Sequence, residues 1–248
     1  MRKVIIIGAT SGIGKGLAEL YAAKGWSVGI TGRRGHLLQE IQQSFPQQVI
    51  TFCFDITAAD NLQHIDELVQ RLGGLDLFIY CSGIGEISVQ PDWEIDEKVI
   101  ATNVTACAKA VGHIFNYFVQ LGRGQVAIIS SIAALRGGSS APSYNASKAF
   151  VSSYAESLNL QAISLGKDIV ITDVKPGFVD TSMAKGGGKF WMMPVGKICM
   201  QIASAIEAKK RKVVVSKRWR LVAFLMKNLP DTIFIYITKR MAAKRQQL

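Results

Sequence analysis

Val4-Ile5-Ile6-Ile7-Gly8-Ala9-Thr10-Ser11-Gly12-Ile13-Gly14 opens the chain almost at once. Its first four residues are apolar and β-branched, a run that reads as a strand buried on both faces. Gly8, Gly12 and Gly14 follow, and beyond them Leu17, Leu20 and Tyr21 recur at helical spacing. Strand, glycine-rich turn and helix is an arrangement that receives a dinucleotide. The glycines let the backbone approach a pyrophosphate, and the helix N-terminus attracts its charge. The spacing here is Gly-x-x-x-Gly-x-Gly rather than Gly-x-Gly-x-x-Gly.

Outward from this turn the same alternation continues. A second strand over Ser27 to Thr31 ends at Gly32-Arg33-Arg34. An acid near this point suits a ribose 2′-hydroxyl, whereas arginine matches the charge and geometry of a 2′-phosphate. Arg33, with Arg34 second, therefore points to NADP(H). A helix over 37–44 precedes a strand over 49–54, which ends at Asp55-Ile56-Thr57. A helix over 59–72 leads into Leu75 to Tyr80, a fourth strand that stops at Cys81-Ser82-Gly83. One long helix from about Glu97 to Leu121 carries Asn103. A strand over 125–130, a helix over 144–165 and a strand over 169–174 complete the alternation, and Val213 to Val215 reads as a seventh strand. Strands alternating with helices predict an α/β fold, a doubly wound parallel sheet of about seven strands. With no repeat or low-complexity linker, residues 1–248 are expected to form one domain. Within it, 1–182 would be the cofactor-binding and catalytic core, 183–206 a substrate loop and helix, and 207–248 a basic, apolar helical extension.

Chemistry concentrates between Ser130 and Lys148. In a helix, Tyr144 and Lys148 share one face at i, i+4 spacing. An ammonium beside a phenol favours the phenolate and draws the tyrosine pKa down from about 10. Such a hydroxyl exchanges protons near neutral pH. Ser131 stands just past the apolar run Val126 to Ile129, where a strand end brings a second hydroxyl nearby. Ser130 points the opposite way on a strand and reads as structural.

In order and spacing these residues resemble the short-chain dehydrogenase/reductase family, over residues 3 to about 182. The resemblance rests on Gly8, Gly12 and Gly14, on Asp55 after the third strand, and on Asn103, Ser131, Tyr144 and Lys148. Pro176-Gly177-Phe178-Val179-Asp180-Thr181 after the sixth strand completes it. One departure is Tyr80-Cys81-Ser82-Gly83, where the family usually shows Asn-Asn-Ala-Gly; Ser82 and Gly83 are still small enough to meet a cofactor. The resemblance implies a single Rossmann-like domain and hydride transfer between a nicotinamide and a carbonyl or alcohol. Tyr144 would be general acid or base and Ser131 would hydrogen-bond the substrate oxygen. Lys148 would tune the tyrosine and bind the nicotinamide ribose, while Asn103 would hold a water of a proton route. Thr10, Ser11 and Ile13 would meet the phosphates and Asp55 and Ile56 the adenine. Pro176, Gly177, Val179 and Thr181 would close over the carboxamide.

The remaining composition narrows the partners. Cys53, Cys81, Cys107 and Cys199 show no close-pair spacing, and His36, His64 and His113 are scattered. Free thiols in a reducing compartment are expected, and no metal site. Four apolar residues before Gly8 are too few for a secretory signal, so a cytoplasmic protein is expected. The net charge of +11 is uneven: residues 207–248 hold twelve Lys/Arg against Glu207 and Asp231. Met183 to Pro194, with three glycines and Phe190, Trp191, Met192 and Met193, reads either as a mobile lid for an apolar or acyl-type substrate or as core packing. The tail, with Trp219, Leu221, Phe224 and Ile233 to Ile237 among cations, fits peripheral contact with anionic lipid, or self-association into a homo-oligomer, or a lid. A nucleic-acid partner is not expected. The alternative to an enzyme is a non-catalytic NADP-binding scaffold or sensor at a membrane, against which four intact catalytic positions argue.

Overall fold

The computed structural model describes residues 1–88, 90–181 and 191–245, with side chains as far as Arg240. Val4 and Ile6 face one side of the first strand and Ile5 and Ile7 the other, and each pair enters its own apolar layer. That division follows from the period-2 alternation of a strand. It makes β1 (Lys3–Ile7) an inner strand of a sheet covered on both faces. The elements that follow are α1 (Gly12–Ala23), β2 (Ser27–Gly32), α2 (Gly35–Ser44), β3 (Val49–Cys53), α3 (Asn61–Leu72) and β4 (Leu77–Tyr80). Then come α4 (Trp93–Val99), α5 (Ala106–Leu121), β5 (Arg123–Ile129), α6 (Pro142–Ser164) and β6 (Asp168–Lys175). The chain ends in α7 (Val195–Glu207), β7 (Lys212–Val214), α8 (Lys217–Asn228) and α9 (Asp231–Arg245).

The sheet runs β3-β2-β1-β4-β5-β6-β7, all seven strands parallel. This is the expected doubly wound, Rossmann-like architecture. On one face α3, α5 and α6 contribute Leu68, Val111, Ile114, Phe118 and Leu158. On the other, α1 and α7 contribute Leu17, Tyr21, Ile198 and Ile202. The strand order reverses between β1 and β4, and a crevice opens there at the C-terminal ends of the strands.

One expectation changes. The long helix expected from Glu97 to Leu121 begins earlier, and the six residues Ile100–Thr105 between α4 and α5 form a π-helical turn. Asn103 sits buried in that turn. The helix of the proposed 183–206 segment, α7, is a core helix with Ile198, Cys199, Ile202, Ala203 and Ile206 buried. The glycine-rich stretch of the expected lid, up to Phe190, lies outside the described residues.

Candidate active site

The glycine turn is built by close approach. Gly8 takes φ +84°, and a Cβ there would stand 2.7 Å from the Ser82 nitrogen at the end of β4. A Cβ at Gly14 would collide with the Gly8 carbonyl, so the turn folds tightly onto α1. Ser11 caps α1 without spending its side chain on the first-turn N–H groups. Those donors and the positive helix end face the crevice, as an anionic ligand requires. A methyl of Thr181 packs on Gly12, which brings the loop after β6 against the turn.

Arg34 and Arg33 make different contacts. Arg34 Nη2 donates to Thr10 Oγ1 at 2.6 Å and to Ser11 Oγ at 2.9 Å, so the guanidinium lies across the glycine turn. Arg33, with a side chain 70% exposed, pairs with Asp55 at 3.6 Å. Burial raises the Asp55 carboxyl, but the Thr57 N–H and hydroxyl and the Arg33 cation outweigh it. The carboxyl therefore sits below its ordinary range. Beside Ile56, a cavity of about 180 Å³ is lined by Thr57, Asn61, Ala101, Thr105 and Lys109. Buried Asn61 Oδ1 has no hydrogen-bond partner there among the described residues. The positive end of α1, an arginine at the turn and an unpaired Asn61 acceptor beside Ile56 together fit a nicotinamide dinucleotide.

The segment after β4 is the floor on which three of the four expected catalytic residues, Asn103, Tyr144 and Lys148, converge. Asn103, buried in the π-helical turn, accepts the Ile84 N–H at 2.9 Å and donates back to the Ile84 carbonyl at 2.8 Å. Its amide also donates to Ser147 Oγ at 3.0 Å. Asn103 makes these bonds from a π turn, a feature that recurs at functional sites. A Cβ at Gly83 would stand 3.3 Å from both Asn103 Oδ1 and Lys148 Nζ. Two residues on, a Cβ at Gly85 would stand 2.8 Å from Tyr144 Cδ2. The tyrosine ring is thus laid on a glycine.

α6 supplies the cation and the phenol together. Lys148 is buried, lies 5.7 Å from the Tyr144 ring centroid and donates to the Ile129 carbonyl at 2.9 Å. Ser131 Oγ accepts the Ala133 N–H at 3.1 Å, which leaves the hydroxyl proton to donate elsewhere. The Pro176 carbonyl accepts the Ile132 N–H at 3.0 Å, joining the Ser131 turn to the loop after β6. Val179 is buried and bridges Met193, so the chain re-enters beside the crevice.

Several supporting residues carry no motif. Ser130 Oγ donates to Asp173 and, at 3.0 Å, to the Val174 carbonyl. Asp173 pairs with Lys175, both buried, and Ser152 bridges them at 2.7 and 2.6 Å. This closed polar cluster fixes the ends of β5 and β6 directly beneath Ser131 and Pro176. Its one sequence signal was a pair of opposite charges at i, i+2 in an otherwise apolar strand. Gly85 and Ser147 had none.

Known proteins share the family and the fold. The short chain dehydrogenase family model matches residues 2–189. An uncharacterized oxidoreductase of Myxococcus xanthus is 31% identical, with 97% of each chain covered. A short-chain dehydrogenase from Sphingobium yanoikuyae, solved in complex with NADPH, superposes at a TM-score of 0.77 with 22% identity, covering 93% of this chain and 97% of that one. One from Burkholderia phymatum, solved with NAD, gives 0.82 at 18% identity over 90% and 92%. A family match across three quarters of the sequence, joined to a doubly wound sheet with its glycine turn at the switch point, has one meaning: this chain belongs to the short-chain dehydrogenase family and is an oxidoreductase of that kind.

Proposed function

We propose that the protein interconverts a carbonyl and an alcohol with NADP(H), Tyr144 acting as general acid in reduction and general base in oxidation. The observation that carries this reading is the convergence of Tyr144, Lys148 and Asn103 on the floor over Gly83 and Gly85, beside the glycine turn. A bound nicotinamide would supply or accept the hydride. The tyrosine hydroxyl gives its proton to the substrate oxygen as negative charge develops there. Ser131, oriented by the Ala133 N–H, donates to the same oxygen. Lys148 spends one N–H on the Ile129 carbonyl and keeps two for ribose hydroxyls. Asn103 acts by holding the Ile84 backbone, and so the floor beneath the tyrosine, in place. Ile13, Ser82 and the Pro176-Gly177 turn complete the cofactor walls.

Arg34 is the stronger determinant of NADP(H), since it already lies on Thr10 and Ser11, and Arg33 is the weaker. An apolar or acyl-type substrate suits Trp191, Met193 and Phe178 at the crevice. The test is hydride transfer across ketones, aldehydes and alcohols with NADPH, NADH and their oxidised forms, in wild type and Tyr144→Phe. Removing the proton donor should lower kcat by about 10²–10⁴-fold with cofactor affinity unchanged. A wild type that binds cofactor yet transfers no hydride, or an equally active Tyr144→Phe, would overturn the proposal.

A further inference from the structure

α8 and α9 expose seven large apolar side chains to solvent, the kind of patch that marks an interaction surface. Leu221, Phe224 and Leu225 on α8 are 59%, 65% and 49% exposed. Ile233, Ile235, Tyr236 and Ile237 on α9 are 47%, 52%, 63% and 42% exposed. The inner side of α8 explains why the helix stays in place. Trp219 is buried, donates to the Trp191 carbonyl at 3.3 Å, and lies edge-on to Phe178 at 5.4 Å. Its ring covers Gly177, where any Cβ would collide. The outer side has no such explanation.

The pattern on α8 identifies what would cover it. At about 100° per residue, Phe224, Leu221 and Leu225 form one exposed stripe, closed at the helix's two ends by exposed Lys217 and Asn228 on the same face. Arg220 and Lys227 border it on one side and Arg218 on the other, all three exposed. Beyond the bend, Lys239 and Arg240 are exposed as well. The single acid of the pair, Asp231, is engaged by Arg136. An apolar stripe edged on both sides by long cations is the pattern of a helix lying in a lipid interface, with aliphatic stems on the hydrocarbon and charged heads among anionic groups. Among the described residues no single helix is long and apolar enough to cross a bilayer, and α8 and α9 meet at 118° about Pro230. A bend of that size suits a surface-lying pair better than a span.

We propose that α8 and α9 form a docking element for the surface of an anionic bilayer. It is tied to the active site. Arg136 donates to the Leu229 carbonyl at 2.6 Å, stands 4.4 Å from the Phe234 ring centroid and binds Asp231. The Arg136 carbonyl in turn accepts from Asn145, the neighbour of Tyr144, at 3.0 Å. Docking therefore holds the mouth of the site beside the lipid. This proposal stands independently of the hydride chemistry.

The test is co-sedimentation of the full chain with phosphatidylcholine vesicles, with and without phosphatidylglycerol, at low and high salt. Wild type should pellet with the anionic vesicles at least tenfold more than with the neutral ones, and 0.5 M NaCl should release it. Leu221→Glu/Phe224→Glu should lose at least tenfold in vesicle binding with melting temperature and NADPH affinity unchanged. No binding by the wild type, or equal binding by the double variant, would overturn the proposal. So would a wild-type dimer that the double variant converts to monomer, for then a second copy covers the stripe. Should the double variant fail to fold, the lipid-charge and salt dependence of the wild type decides the matter alone.

Discussion

Gly85→Ala is the sharpest probe of the tyrosine's placement. The new methyl would meet Tyr144 Cδ2 at 2.8 Å and Cε2 at 3.0 Å. Carbon pairs settle at about 3.5–4.0 Å, so the ring must retreat by about 0.7–1.2 Å. A misplacement of about 1 Å at a reacting group costs on the order of 10²-fold in rate, about 2.7 kcal/mol on the barrier. Gly85 is only partly buried and its φ is not positive, so the fold itself should hardly notice the methyl. The assay is steady-state kinetics on the best substrate found, with NADPH affinity from fluorescence quenching and a thermal melt. We expect kcat to fall by about 10²-fold, with cofactor affinity and melting temperature near wild type. A kcat within about threefold of wild type would refute the reasoning, because the ring would then have no need to rest on Gly85. Loss of cofactor binding in step with activity would refute it too, by placing Gly85 under the cofactor rather than the tyrosine.

Other expectations follow from the surrounding structure. Lys175→Ala leaves Asp173 buried without its cation, and should cost about 3–5 kcal/mol in urea unfolding; a loss below about 1 kcal/mol would show that Ser130 and Ser152 suffice. Arg34→Ala should raise the KM for NADPH at least tenfold and that for NADH far less, whereas Arg33→Ala should do so weakly. The reverse order would restore Arg33 as the main determinant. Burial pushes the Cys107 and Cys199 thiols up to about 12, so both remain protonated until the pH approaches that value. Only the thiolate attacks. Iodoacetamide at pH 8 should therefore label exposed Cys53 and spare Cys107 and Cys199, as read by mass spectrometry, and comparable labelling of all three would count against their burial.

The sheet was legible because its strands are buried on both faces and therefore read as apolar runs, and the glycine turn because backbone contact tolerates no substitute. The candidate site residues Tyr144 and Lys148 drew notice for a related reason: proton transfer restricts the residue types that can serve. What escaped was everything set by neighbours distant in sequence. Nothing in Gly32-Arg33-Arg34 tells which guanidinium folds back over Thr10, since that depends on how α2 leaves β2. Gly85 looks like any loop glycine until Tyr144, fifty-nine residues on, is laid against it. The Asp173–Lys175 pair gives no sign of its burial until Ser130 and Ser152 close around it. The interruption at Ile100–Thr105 carries no glycine or proline that would announce it.

That interruption also sets the phase of everything beyond it. A helix wound one residue wider turns its continuation by about 100° relative to what came before. Ala110, Val111, Ile114 and Phe118 reach the sheet from α5 only in that rotated frame. Deleting a single residue between Ile100 and Thr105 would restore regular winding locally. It would also swing Phe118 and Ile114 off the sheet, or else swing Asn103 away from Ile84. The side chain that holds the catalytic floor and the packing of a 16-residue helix thus share one register, and neither can be retuned alone.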